Sequence, residues 1–481
     1  MNWTLKSRSE MSVGQSTKKW PAYLPLAGAV LFGCYLRLHN IDVNGLWVDE
    51  AFSVAISDPN NSFIDVYKRT LIDVHPPFYQ VLLWLFYKVF GYTEMSGRYL
   101  SVFIGVLLIP SVFCLGWQMI NRRTGLICSW LVAVNFYFIT YSQETRSYAL
   151  LVLLAVLSFV FFISLLRSPT SLNVVLYALV MAMLVNTHYF GLLPVGAQIG
   201  LFFLIYGRKA FQVKMMLKFL TVGAFVFLTL LPSAGYIENN LGRQGFWIPA
   251  PQDSFFIQLF TLYFGNASLS IIAAILMALG LVKLVRDTER KEALWVLVLW
   301  VGVCVMVPYV RSIYIQPVLT MRNLIVVLPA LLIMTGYGLS LVRDKVFFYS
   351  VIIAFFCFSM TPLYTADKPV HSFENQLPPK SLMRDVLRMM VDRCAGRSIY
   401  SGVSVEAQGY AKILDLPLKI NSVRVMERDM ESVEEPLEIC FFNTSGIFEA
   451  DVEYMKKHHF KLVRKEIVGN SSLTEYQFDP K

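Results

Sequence analysis

The chain has 481 residues, 56% of them hydrophobic and only 16% charged, and 42 Lys and Arg against 33 Asp and Glu leave a formal charge of +9. That balance excludes a soluble globular protein of this size; long apolar runs separated by short basic loops describe a polytopic helical membrane protein. The positive charge is a topology signal first, and no nucleic-acid partner is implied.

Residues 1–20 carry Lys6, Arg8, Lys18 and Lys19 with no cleavage-site pattern before the first apolar run, and read as an uncleaved cytoplasmic tail. Eleven spans are then expected, at roughly 21–38, 99–119, 125–141, 148–166, 171–187, 189–206, 217–234, 268–285, 293–310, 323–342 and 346–362. The apolar run from Pro77 to Phe90 is left out. Fourteen residues at ~1.5 Å each give about 21 Å, short of a hydrocarbon core of ~30 Å, so this is a juxtamembrane or re-entrant helix. With that choice one face receives the N-terminal lysines, Arg122–Arg123, Arg167, the cluster from Arg208 to Lys218, the cluster from Lys283 to Lys291, and Arg343 with Lys345. Short basic loops of this kind belong on the cytoplasmic side. The opposite face receives the long first loop (39–97), the Gln143–Ser147 turn, His188, the 236–267 and 311–322 loops and the tail.

Polar groups that chemistry could use lie on that second face. Trp47-Val-Asp49-Glu50-Ala51 places two adjacent carboxylates about ten residues after the first span. Such a pair can act as a general base or bind a divalent cation; equally, Asp49 fits a helix N-cap on a solvated loop. In Asp73-Val-His75-Pro76-Pro77, two prolines start a helix, and they either mark its entry or present His75 rigidly to a site. Tyr141-Ser-Gln143-Glu144-Thr-Arg146-Ser-Tyr148 sets polar groups between two apolar runs with almost no loop. Arg146 either pairs with Glu144 or holds a phosphate, for which a planar guanidinium is suited. His188 opens a span, as an interfacial residue or as part of a site. Trp247, in a proline-stiffened aromatic loop, suits the membrane interface or sugar stacking. Arg311 and Arg322 bracket an external loop against the charge bias, as expected of ligands for an anion at the membrane surface.

After residue 365 the composition turns polar, and a tail of about 115 residues reads as a small α/β unit. Met383–Cys394 is an amphipathic helix and 448–458 looks helical, while 398–403, 437–442, 461–468 and 473–478 have strand character. Five of the seven cysteines fall in apolar runs; Cys394 and Cys440, in the tail, suit either a disulfide or two buried thiols.

The stretches LWVDEAFS (46–53), HPPFYQVLLWLF (75–86), GYTEMSGRYLSVFIGVL (91–107), YSQETRSYALL (141–151), NTHYFGLL (186–193), FWIPAP (246–251) and MRNLIVVLPALL (321–332) occur in an order that resembles the GT-C glycosyltransferases. The similarity is greatest to the branch with the protein O-mannosyltransferases and the aminoarabinose transferase of lipid A, and to the RgtA/B/C/D-like bacterial proteins within it. The resemblance implies an all-α polytopic GT-C fold over 21–365; the tail, 366–481, carries no motif of it and is expected, from its own pattern, to be a small external α/β domain. It further implies a polyprenyl-phosphate-sugar donor, a lipid, glycan or protein acceptor, and transfer on the periplasmic side of a bacterial inner membrane. The family's acidic motif falls on Asp49 and Glu50, and its late arginine on Arg322; where the family has Arg-Tyr-Leu, this chain reads Arg322-Asn323-Leu324.

On this reading Asp49 is the base and Glu50 orients the acceptor, while Arg146, Arg311 and Arg322 hold the leaving phosphate. His75, Glu144, His188 and Trp247 complete the substrate-binding set. No cofactor is required, though a divalent cation is compatible with the carboxylates. Two alternatives stand beside it. An oligosaccharide ligase using a lipid diphosphate would call for more arginine, and a lipid or solute transporter for inverted repeats or broken helices meeting at the midplane.

Overall fold

Each of the eleven apolar segments folds as helix. In the computed structural model, which describes residues 23–71, 75–206, 213–235, 248–364, 383–444, 454–455, 457–469 and 471–480, they are α1 (Tyr23–Leu38), α5 (Glu94–Met119), α6 (Arg122–Val134) with α7 (Phe136–Ser142), α8 (Tyr148–Arg167), α9 (Ser171–Val185), α10 (Leu192–Tyr206), α11 (Val213–Leu230), α13 (Ala267–Arg286), α14 (Lys291–Tyr314), α15 (Leu328–Ser340) and α16 (Lys345–Tyr364). Among the described residues six helices are long and apolar enough to cross a membrane, or seven if the bent α6–α7 pair is one span, and several apolar helices are shorter. The excluded run forms α4 (Phe78–Phe90), 13 residues closed by Gly91, whose φ of +88° only glycine adopts without strain. The first loop also carries α2 (Val48–Ile56) and α3 (Phe63–Thr70), and α12 (Phe255–Phe264) precedes α13.

Burial separates the centre of the bundle from its rim. The apolar window of α8 is 83% buried and that of 323–340 is 89% buried, against 6% for 213–233. A helix that is apolar on every face, as α8 is, can only sit inside such a bundle. Close approach there needs small residues. A Cβ at Gly338 of α15 would collide with the Leu276 carbonyl of α13, and one at Gly280 would lie 2.7 Å from the Met334 carbonyl.

The span that breaks does so by 59° at Asn135. Asn135 accepts from the Phe138 amide (3.0 Å), capping α7, and its amide nitrogen donates to the Tyr263 carbonyl (2.8 Å). Carbonyls freed by the break would be costly in an apolar setting. Arg37, fully buried in α1, donates to those of Val132 and Ala133 (both 3.1 Å), to its own Gly33 carbonyl and to Ser142 Oγ. The bent segment thereby ends at the polar 143–147 turn on the face of the first loop.

The tail forms a five-stranded sheet in the order β2-β1-β3-β5-β4. Strands β1 (Ser398–Ser401), β2 (Ile420–Ser422) and β3 (Leu437–Thr444) pair in parallel, and β5 (Ser471–Phe478) joins β3 to β4 (Phe460–Val468) antiparallel. The expected helix is α17 (Met383–Arg393), and four of the strands stand near their expected positions. Helices α18 (Ser404–Ile413) and α19 (Val423–Met430) and the three-residue β2 were not expected. Most of the 448–458 helix lies outside the described residues. Cys394 and Cys440 are joined as a disulfide, tying the end of α17 to the central strand β3.

Candidate active site

The two adjacent acids part company in the structure. Helix α2 begins at Val48, so Trp47 and not Asp49 is the N-cap residue. Glu50, at the third helical position, takes the capping role by accepting from the Trp47 amide (3.3 Å). Its carboxylate is fully buried and pairs with Arg98 of α5 (3.4 Å), while Oε1 also accepts from the Thr145 amide (2.8 Å). Arg98 donates in turn to the carbonyls of Ile41, Asn44 and Gly45 at 2.6–3.0 Å. A buried carboxylate so enclosed has no free face, and the orienting role expected of Glu50 gives way to that of a structural anchor. Arg98 lies within a stretch quoted above, but position alone gave it no role; an arginine one turn into an apolar helix was the available signal.

Asp49, one residue earlier, points the other way. Its side chain is 32% exposed, against 0% for Glu50. Two arginines from distant parts of the chain meet the same oxygen: Arg322 Nη1 donates to Oδ2 at 3.0 Å, and Arg146 Nη2 lies 3.9 Å from it. Asp49 Oδ1 receives no hydrogen bond from a described residue. The Arg322 guanidinium also lies over the Trp47 ring, 5.1 Å from its centroid. Arg146 is held by Asp49's carbonyl and by Ser53 Oγ (both 3.0 Å), and its Nη2 faces His75 Nδ1 at 3.4 Å. Ser53 was not singled out in the sequence, yet it bonds Asp49's carbonyl and receives Gln80 of α4 (3.3 Å).

The Pro76–Pro77 segment starts α4, and the Phe78 amide is fixed to the Asn186 carbonyl at the end of α9 (2.9 Å). That brings His75 against His188, with ring centroids 4.7 Å apart. His188 is buried and caps the short helical turn Tyr189–Gly191, accepting from the Phe190 amide (3.1 Å). Burial, then the nearby His75, Arg146 and Arg322, push its pKa well below the ordinary histidine range, with Asn323 acting in the opposite direction. Glu144 is buried beneath this group and interacts with the Arg322 charge.

Seven of the nine expected residues are therefore gathered in one polar cluster: Asp49, Glu50, His75, Glu144, Arg146, His188 and Arg322. Arg311 ends α14, half-buried, and among the described residues no side-chain hydrogen bond or ion pair joins it to the group. Trp247 lies outside the described residues. No group of three or more His, Cys, Asp or Glu side chains is gathered as for a metal ion among the described residues. Beyond Arg322 lies an apolar cavity of about 150 Å³, lined by Phe256, Phe260, Tyr263, Val305, Leu324 and Leu331 among others. The Tyr263 hydroxyl donates to the Leu324 carbonyl, so its wall is fixed to the segment that carries Arg322.

The family described as dolichyl-phosphate-mannose-protein mannosyltransferase matches residues 74–236. Solved structures match nearly the whole chain in fold. ArnT from Cupriavidus metallidurans in the apo state superposes with a TM-score of 0.62 at 11% identity, covering 94% of this chain and 97% of that one. The same protein bound to undecaprenyl phosphate gives 0.57 at 11% identity with the same coverage. The archaeal oligosaccharyltransferase AglB from Archaeoglobus fulgidus, in complex with an inhibitory peptide and a dolichol-phosphate, gives 0.56 at 10% identity over 95% of this chain and 74% of that one. Among curated proteins, none matches this sequence. The resemblance read from the motifs is borne out: about a third of the chain matches a mannosyltransferase family, and nearly the whole chain has the fold of the GT-C glycosyltransferases.

Proposed function

We infer that the protein moves a sugar from a polyprenyl-phosphate donor to an acceptor hydroxyl, with inversion at the anomeric carbon, on the periplasmic face of a bacterial inner membrane. The observation that carries this reading is the asymmetry at Asp49: Oδ2 faces two arginines, while Oδ1 receives no hydrogen bond from a described residue on a side chain that is 32% exposed. A donor phosphate placed between Arg146 and Arg322 would put its sugar beside Oδ1. The apolar cavity next to Leu324 suits the first isoprene units of the lipid. Among the fold relatives, ArnT has been seen with undecaprenyl phosphate, a ligand of this class. The face assignment rests on the basic loops, which gather opposite the site.

In this scheme the acceptor oxygen attacks the anomeric carbon as the carbon–oxygen bond to phosphate breaks. The leaving electron pair stays on the phosphate oxygen, where the two guanidinium groups stabilise it. Asp49 Oδ1 takes the acceptor's proton. One displacement inverts the anomeric configuration. His75 and Ser53 act through Arg146, which they hold in place, and Glu144 balances charge beneath Arg322.

The test is mass analysis of envelope glycolipids and glycans from cells with and without the chain. Loss of one sugar unit from a product, with accumulation of a polyprenyl-phosphate sugar, is the expected result. A positioned general base contributes about 10²–10⁴-fold, so Asp49→Asn should lower transfer by at least about 100-fold while the protein still inserts and folds. Transfer at the wild-type level by Asp49→Asn would remove the aspartate from that role.

A further inference from the structure

The helix that carries Asp49 is held from two sides. From within the membrane bundle, Arg98 binds the carbonyls of Ile41, Asn44 and Gly45. From outside, the C-terminal unit touches the same segment. Tyr410 Oη accepts from the Leu46 amide (2.8 Å) and donates to Glu94 (3.2 Å). Arg384 donates to the carbonyls of Asp42 (3.2 Å) and Asn44 (3.1 Å) and pairs with Glu94. Between them there is room only for glycine: a Cβ at Gly45 would stand 2.8 Å from Tyr410 Oη and 3.0 Å from Arg384 Cβ.

Contact continues along α2. Gly409 lets α18 lie directly on Ala55, where any side chain would collide. Lys412 then pairs with Asp58, just past the helix end. The lead-in, the body and the end of α2 are thus each gripped by the tail. A small external domain that merely capped the bundle would not need hydrogen bonds to the backbone of this one loop. The bonds to the Leu46 amide and the Asn44 carbonyl reach buried residues and so fix position, because breaking one leaves a desolvated amide or carbonyl unpaired.

We propose that the C-terminal unit is part of the active-site scaffold, with Tyr410 and Arg384 as positioning residues that set where Asp49 stands. The proposal rests on the reading of Asp49 as the base. Neither residue touches the cleft; each acts through the 42–46 segment.

The experiment uses the full chain in detergent, with Tyr410→Phe, Arg384→Ala and, as a wedge, Gly409→Leu. Hydrogen exchange of residues 44–50, affinity for undecaprenyl phosphate, and sugar product in cells are measured for each. Loss of the outer grip is expected to speed exchange of 44–50 about tenfold, as loss of one net hydrogen bond allows, while strands β1, β3 and β5 keep their protection. Product should fall about tenfold and undecaprenyl phosphate affinity by clearly less, since Arg146 and Arg322 are borne by other elements and touch α2 only through Trp47, Asp49 and Ser53. Arg384→Lys, which keeps one donor, should recover part of the product. Unchanged exchange in all three variants overturns the proposal. So does faster exchange with undiminished product, or a parallel loss of affinity, product and sheet protection. If the wild-type chain binds no undecaprenyl phosphate and makes no product, the transferase reading falls, while the exchange result still decides the grip on α2.

Discussion

Two neighbouring carboxylates show how environment assigns roles that composition does not. Glu50 and Asp49 share a chemistry, but one faces the bundle and the other the cleft, because successive helical residues point about 100° apart. Removing Arg98 would leave Glu50 as a buried, unpaired charge, a change that costs about 3–5 kcal/mol in comparable pairs. The sequence showed the acid pair and could not show this division, since nothing local says which of two adjacent acids meets an arginine 48 positions on. His188 gives a residue-scale prediction. Folding holds its imidazole neutral, whereas the unfolded chain takes up a proton there below about 6.5, the ordinary histidine value. Stability from this site is therefore complete above that pH and is lost as pH falls through it. His188→Gln should flatten the acid-side fall of the thermal midpoint in detergent. An equally steep fall in the variant would show that His188 is not its source.

At the scale of elements, legibility followed length and repetition. Long apolar runs announced every span, and the shortness of α4 was visible from fourteen letters. What escaped in the tail were α18, with Gly409 at its centre, the eight-residue α19, and β2, three residues long. Glycine in mid-helix argues against helix locally, and here the contact with Ala55 overrides that preference. The break at Asn135 was equally hidden, because Phe136–Ser142 reads as unbroken apolar helix. The bundle's tight crossings make a prediction at this scale. Gly338→Ala drives a methyl into the Leu276 carbonyl and is expected to cost about 1–3 kcal/mol, read as a lowered unfolding midpoint. Gly302→Ala is the control, because a Cβ there meets nothing within 4 Å. Equal midpoints for the two variants would refute the packing argument.

For the whole molecule, the bundle and the tail depend on each other through α2, and the tail has its own fastening. The Cys394–Cys440 bond closes a loop of sequence separation 46. Chain-entropy arguments put such a closure at about 4 kcal/mol. Cys394→Ala with Cys440→Ala should therefore loosen the sheet, read as faster cleavage by a soluble protease within 383–480. Cleavage at the wild-type rate would mean that the sheet holds without the link.

The ion pair between Asp49 and Arg322 spans 273 residues, whereas Glu50 and Arg98 are separated by 48. At a synthesis rate of about 5–20 residues per second, the ribosome needs on the order of 14–55 s to cover the longer interval. The nascent chain can thus dock its loop by the inner arginine early and bring Arg146 to Asp49 soon after, while the 3.0 Å bond from Arg322 has to wait until most of the bundle has been made. A chain stalled before residue 322 would hold a seated loop and an aspartate with Arg146 alone beside it, so the second cation of the site arrives last among its charged members.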